Sequence, residues 1–442
     1  MGQPLHSEAK GLGERGVLAR SSTVAATWAL FFGFGMVMVG NGLQGSLLGI
    51  RSEAEGFGLA VSGIVMAGYF AGFFAGSIYA ASALKTVGHI RVFSALASAA
   101  STTVLIHAVW INPATWFAMR FLFGICMAGI YVVVESWLNE LASNETRGRL
   151  LSVYMVVSMG GIVIGQLLLN VADTNGFTLF ILASVLVSLA LVPVSLSATT
   201  GPRIAYPQPT SLMEVWRIVP TGIVTSFFVG ASAGTVMGIG AVYAANIGME
   251  AGRITIFLAA PMVGAIAGQI PIGLISDRVP RRTVILVVSL FATLFGLAPL
   301  TLSPRSDLVI VAMFFVGATV FPLYSLGIAY TNDWLLPEQI VGASAAQVRV
   351  NGTGAVFGPV VAAILMSIVD PQIFYWVIAA STAVIAVWVG SRMFVEDAPP
   401  LDRQRDYVPF PARASSVAAN LIPRRRRDKG WPEQPVSPDT DA

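Results

Sequence analysis

Arg120, Gly124, Met127, Tyr131 and Glu135 stand at i, i+4, i+7, i+11 and i+15 inside one long apolar run. At 100° per residue this spacing gathers them into a helical sector about 80° wide. An ionised side chain at bilayer depth is costly unless it faces a cavity or a partner, so the stripe is expected to line a polar passage. Arg120 could grip an anionic group of a solute or brace backbone carbonyls. It cannot pair with Glu135 along a straight helix, because a separation of fifteen positions spans about 22 Å. Glu135 lies well within its run, whereas Asp307 and Asp333 stand near the ends of theirs. Burial favours the neutral carboxyl, so Glu135 could take up and release a proton as its access to water changes. A static brace to Arg147 or Arg149 is the competing role. Asn41 and Gln44 supply the polar groups of the run over 25–50, and Gln347, Arg349 and Asn351 those of the run over 341–366. Arg349 falls about 12 Å in from the start of that run. Two embedded arginines, Arg120 and Arg349, favour an anionic or zwitterionic solute slightly over a cationic one.

The elements that position these residues must sit in lipid. Of 442 residues, 55% are hydrophobic and 11% charged, with a mean hydropathy of +0.75, against about a quarter charged in soluble domains. Crossing about 30 Å of hydrocarbon takes about 20 helical residues. Twelve runs meet that length or approach it: 25–50, 58–83, 92–110, 114–138, 150–170, 177–197, 218–245, 254–275, 283–302, 308–331, 341–366 and 372–391. The first is too long for the core of a cleaved signal peptide. Cys126 is the single cysteine, which excludes an intrachain disulfide and argues against a cysteine-based metal site. Lys10, Arg15, Arg20, Lys85, Arg91, Arg147, Arg149, Arg203, Arg217, Arg278, Arg281, Arg282 and Arg392 fall on one side of this threading, and Arg51, Arg253 and Arg305 on the other. The positive-inside rule therefore predicts that both termini are cytoplasmic.

The runs repeat. Asn139, Glu140 and Glu145 recur as Asn332, Asp333 and Glu338, an offset of 193 (332 − 139 = 193), which also carries Gly124 onto Gly317, Tyr131 onto Tyr324, Gly161 onto Gly354 and Gly165 onto Gly358. Tandem halves of this kind commonly hold a site at their seam, and Tyr324 joins the candidate cavity residues by this correspondence. The expected organisation is a polar start (1–24), a six-helix bundle (25–198), a proline-punctuated linker (199–217), a second bundle (218–392) and a basic tail (393–442). Beyond residue 398 the composition cannot bury a core and predicts disorder. Arg424–Arg427 and Lys429 suit anionic lipid headgroups or serve as a simple topology anchor. Pro359 predicts a bend in the eleventh helix.

Soluble-enzyme strings occur without their settings. GLGERG (11–16) and GNGLQG (40–45) lack a flanking βαβ unit, and GASAG (230–234) lies in a continuous apolar run rather than a strand-turn-helix elbow. Neither a Walker A loop nor H-E-x-x-H is present, and with three histidines the chain offers no obvious metal centre. No cofactor and no nucleic acid partner is expected, nor enzymatic activity.

After the eighth run comes G-L-I-S-D-R-V-P-R-R, Gly273 to Arg282, in which Gly273 permits close helix approach, Asp277 sits at the membrane edge, and Arg278, Arg281 and Arg282 are cations able to exchange partners. This string resembles the loop signature of the major facilitator superfamily. The stretch RFLFGICMAGIYVVVESWLNELASNETRGRLLSVYMVVSMGGIVIGQLLL (120–169), with GQIPIGLISDRVPRR (268–282), resembles the YcaD-type subfamily, whose substrate is unsettled. The first half departs from the signature, reading K-T-V-G-H-I-R (85–91) where an acid is expected. The resemblance implies an all-α membrane fold of twelve helices in two pseudo-symmetric bundles, with helices 1, 4, 7 and 10 lining the passage. It also implies that helix 8 lies beside helix 5. Asp277 would then face Arg147, Gly148 and Arg149, where free N–H groups and the helix dipole stabilise an anion, and a latch of Asp277 with Arg149 would hold the outward-open state.

These readings point to a monomeric, gradient-driven carrier of a small organic solute in the cell's inner membrane, proton coupling being the favoured drive. Uptake and efflux are equally open. A membrane sensor signalling through the basic tail is the second class.

Overall fold

The computed structural model describes residues 5–142, 146–196, 211–336, 339–395, 404 and 407–410, with side chains from Thr27 onward apart from 79–83, 85, 86, 147 and 341. Every regular element among them is helical. In chain order these are α1 (Leu5–Ala54), α2 (Leu59–Val87), α3 (His89–Val109), α4 (Pro113–Leu141), α5 (Arg147–Leu167), α6 (Thr178–Leu189), α7 (Leu191–Leu196), α8 (Leu212–Ile218), α9 (Pro220–Asn246), α10 (Ala251–Ser276), α11 (Arg281–Leu297), α12 (Asp307–Trp334), α13 (Ile340–Ile368) and α14 (Ile373–Met393). Twelve segments are long and apolar enough to cross a membrane, α6 and α7 together making one of them, Thr178–Leu196. They coincide with the twelve apolar runs to within a few residues.

Local chemistry sets the ends. Asn112 caps α4, its Oδ1 accepting the N–H groups of Ala114 at 2.9 Å and Thr115 at 3.4 Å, and Pro113 occupies the first turn, where no N–H is missed. At the start of α12, Ser306 caps the helix through the Leu308 N–H at 3.3 Å. α1 is longer than its apolar run, continuing as helix back to Leu5 through the polar start of the chain. The stretch expected to be linker ends in a helix, α8, capped by Ser211, whose hydroxyl accepts the Glu214 N–H at 3.1 Å. Residues 197–210 and the Arg424–Arg427 cluster lie outside the described residues. α13 runs through Pro359 as one helix.

Packing repeats with the sequence. Gly124 lets α4 lie against α2, since a β-carbon there would overlap the Tyr69 carbonyl oxygen; Gly317 lets α12 lie against α10 at the Pro261 carbonyl. Gly161 and Gly165 seat α5 on α1 beside Met38 and Val39, and Gly354 and Gly358 seat α13 on α9 beside Phe227 and Ala231. Small residues allow such approach where lipid supplies no hydrophobic drive between helices. The halves meet along α1 with α9, α2 with α13, and α5 with α10. Outward faces are apolar, as Ile78, Ile164, Phe291 and Val387 illustrate.

The helices alternate in direction, so Arg149, Arg278, Arg281, Arg282 and Arg392 share one end of the bundle, here termed the basic end. At the opposite end the halves touch. Asn246 donates to Glu53 Oε1 at 2.8 Å and Asn170 to Thr255 Oγ1 at 3.2 Å, while Gly49 sits against Ala241 and Gly63 against Ala363.

Candidate functional site

A polar cavity lies on the seam, nearer the closed end. Asn41 and Ser46 of α1, Tyr69 of α2, Arg120 of α4 and Gln166 of α5 face Val236, Met237 and Ala241 of α9 and Leu258 and Met262 of α10. Arg120 is 3% exposed and stacks on Tyr69, with its guanidinium carbon 4.8 Å from the ring centroid. Such cation–π contact holds a cation in a desolvated place. The buried Gln166 carbonyl oxygen has no protein partner and the residue lines the cavity, an acceptor available to something bound there. The cavity has a volume of about 40 Å³, enough for about three waters. The cavity is therefore constricted in this conformation.

Tyr69 and Met237 are shared with a second, apolar cavity between α2, α9 and α13, walled by Phe70, Phe73 and Phe74 with Asn351 opposite. Asn351 is turned partly away, donating to the Ser226 carbonyl at 3.0 Å. A charged and amide-rich chamber thus adjoins an aromatic one across Tyr69 and Met237.

Toward the basic end, Glu135 is fully buried and accepts the Tyr154 hydroxyl at 2.6 Å. Tyr131 is buried between Phe34 and Phe73, 5.4 and 5.5 Å between ring centroids, and its hydroxyl points to Met38 Sδ at 3.2 Å. These contacts make it a packing residue of the first half. Gln44 is buried with both amide atoms lacking a protein partner, and it lines neither of the two cavities.

Arg349 lines neither of these two cavities. It is exposed on α13, whereas Gln347 and Asn351, two residues away on either side, are buried.

At the basic end, Arg281 is 1% exposed and binds Asp333 through Nη1, at 2.6 Å to Oδ1, and also donates to Ser276 Oγ at 3.2 Å and to the Ala329 carbonyl at 3.3 Å. Asp277 lies 3.6 Å from Arg281 and accepts the Tyr407 N–H at 2.7 Å. Arg282 donates to the Arg392 carbonyl at 3.3 Å, tying α11 to α14. Arg278 and Arg149 are exposed, and Asp277 is joined to Arg281 rather than to Arg149. The side chain of Arg147 lies outside the described residues. Gly273 is buried beneath the Tyr407 ring.

Sequence reasoning missed Tyr69, Tyr154 and Gln166 as site residues, because aromatic and amide side chains in apolar runs look like core until their neighbours on other helices are known. It placed Asp333 only by repetition, and it missed Tyr407 and Phe410, whose aromatic character in an Arg- and Pro-rich tail was the available signal. Burial pushes the Tyr407 phenol above its ordinary pKa, so it remains a neutral donor, to Gln269 Oε1.

Twelve spans in two repeated halves, touching at one end and enclosing a polar chamber on the seam, define a membrane-carrier fold. The Major Facilitator Superfamily is matched twice, over residues 30–221 and 222–431. The chain belongs to that superfamily, which makes it a transporter. It is 26% identical over 321 residues to an uncharacterized MFS-type transporter, YcaD, of Escherichia fergusonii, covering 72% of this chain and 83% of the relative. The Salmonella paratyphi B counterpart is 28% identical over 324 residues, with the same coverage. Among solved structures, the nucleoside transporter NupG superposes with a TM-score of 0.71 at 12% identity, over 83% of this chain and 99% of that one. The fucose:proton symporter FucP of E. coli gives 0.54 at 16% identity, over 84% and 99%.

Proposed function

We propose that this transporter is a secondary active carrier that moves a small amphipathic organic solute, with an anionic or zwitterionic head and an apolar body, across the cell's inner membrane with the basic end in the cytoplasm. The observation that carries the reading is the pair of chambers joined at Tyr69. Arg120, Asn41 and Gln166 suit a charged, hydrogen-bonding head, and Phe70, Phe73 and Phe74 suit an apolar body. Contact between the halves at the end opposite the basic one makes this an outward-closed state, and rocking of the halves about the seam would expose the chambers alternately. Glu135, buried and hydrogen bonded to Tyr154, is suited to exchanging a proton as the seam opens. Asp277 would move to the α5 N-terminus, near Arg149, when the basic end closes.

The test is flux in proteoliposomes under an imposed pH gradient, using solutes chosen by a thermal-stability screen of the pure protein, since a ligand of the folded form raises its apparent stability. Gradient-driven accumulation that Glu135→Gln abolishes, while solute exchange without a gradient persists, is the expected result. Accumulation that Glu135→Gln leaves unchanged removes the coupling role, and absence of flux for every stabilising solute removes the carrier reading.

A further inference from the structure

The mouth between the halves at the basic end has an occupant supplied by the chain itself. Tyr407 lies over Gly273, where any β-carbon would enter its ring, and it engages Asp277 through its N–H at 2.7 Å and Gln269 through its hydroxyl. Phe410, three residues on, is 1% exposed. Its N–H and carbonyl both use the Ser325 hydroxyl, at 2.9 and 3.1 Å, and its ring lies 6.0 Å from that of Tyr324. Pro409 lines a gap with Met155 and Met159 of α5, Ala265 and Gln269 of α10 and Phe321 of α12. Because Ser325 is nine residues from the end of α12 at Trp334 (334 − 325 = 9), Phe410 reaches about 13 Å into the bundle.

A tail merely resting on the surface would not satisfy these features together. Backbone groups at both 407 and 410 are paired with side chains of the bundle, and a glycine makes the space for the first ring. The segment is bound to α10 and α12 of one half and faces α5 of the other across that gap, between surfaces that must slide past each other if the carrier works by rocking. It also holds Asp277, the acid that would otherwise be free to meet α5.

We propose that residues 407–410 are a tethered peptide ligand for the surface formed by α5, α10 and α12, which keeps the basic end from closing and obstructs the solute path until the segment withdraws. The consequence for transport rests on the carrier reading above, but docking can be measured without any solute. Ala265→Cys, in a Cys126→Ala background, is labelled with a membrane-impermeant maleimide on protein in lipid nanodiscs. The full chain is compared with Phe410→Ala and with a chain ending at residue 395. Labelling at least tenfold faster in both variants, slowed again when a synthetic peptide of residues 404–410 is added to the shortened chain, is the expected result. Equal rates in all three chains overturn the proposal, as does a peptide without effect on the shortened chain. A thermal melt of each variant identifies misfolded protein, and Phe410→Ala alone decides the matter if the shortened chain fails to fold. If docking is established and no solute is carried by either chain, the carrier reading falls and the docking stands.

Discussion

Glu53 and Asn246 are one repeat length apart in the sequence (246 − 53 = 193) and are hydrogen bonded to each other at 2.8 Å. Equivalent residues of two related units can meet in this way only where the symmetry axis passes between them. The pseudo-twofold axis therefore emerges at this point of the closed end, and Gly49 lies against Val242 beside it, again 193 residues away.

Closure at that end should weaken when the pair is lost. A single hydrogen bond contributes about 1 kcal/mol, which shifts a two-state equilibrium by about fivefold. Ser46→Cys in the polar chamber should therefore react with a maleimide about fivefold faster in a Glu53→Ala protein, and Glu53→Gln, which keeps an acceptor, should restore the slow rate.

The glycine pairs Gly124 and Gly317 should tolerate no side chain. Valine at either position forces α4 from α2 or α12 from α10 and costs about 1–3 kcal/mol by overpacking. A fall in the melting temperature for Gly124→Val and Gly317→Val is expected, with Gly45→Ala, where nothing lies within 4 Å of the added carbon, as the unaffected control.

Asp333 and Asp277 both face Arg281 but should differ in weight. Asp333→Asn leaves a cation buried without its main counter-charge and should cost about 3–5 kcal/mol. The Asp277 side chain is 37% exposed, so solvent screening limits the loss for Asp277→Asn to less than about 1 kcal/mol. Chemical or thermal unfolding of the two variants in one detergent gives the order directly.

Arg120 and Arg349, which look alike in the sequence, should separate in binding. Arg120→Ala should abolish the thermal stabilisation given by an amphipathic carboxylate from the screen, and Arg349→Ala should leave it within experimental error. Loss of that stabilisation in Arg349→Ala would remove Arg120 from its privileged place.

The twelve spans and the paired halves were legible in the chain because lipid imposes a length and an apolar composition that a sequence shows directly, and because the repeat preserves Gly124, Gly161 and Gly165 at their packing duties in Gly317, Gly354 and Gly358. Arg120 was legible for a related reason: a charge inside an apolar run must face a cavity or a partner. Tertiary structure alone decided which side chains meet. Arg349 is exposed where its neighbours Gln347 and Asn351 are buried, Tyr154 of α5 became the partner of Glu135 on α4, and Asp277 meets Arg281 and Tyr407 in this conformation. Composition marks how deeply a segment can sit in the membrane, but rotation about each helix and contact between helices distant in sequence are fixed by packing, and a one-dimensional pattern does not contain them.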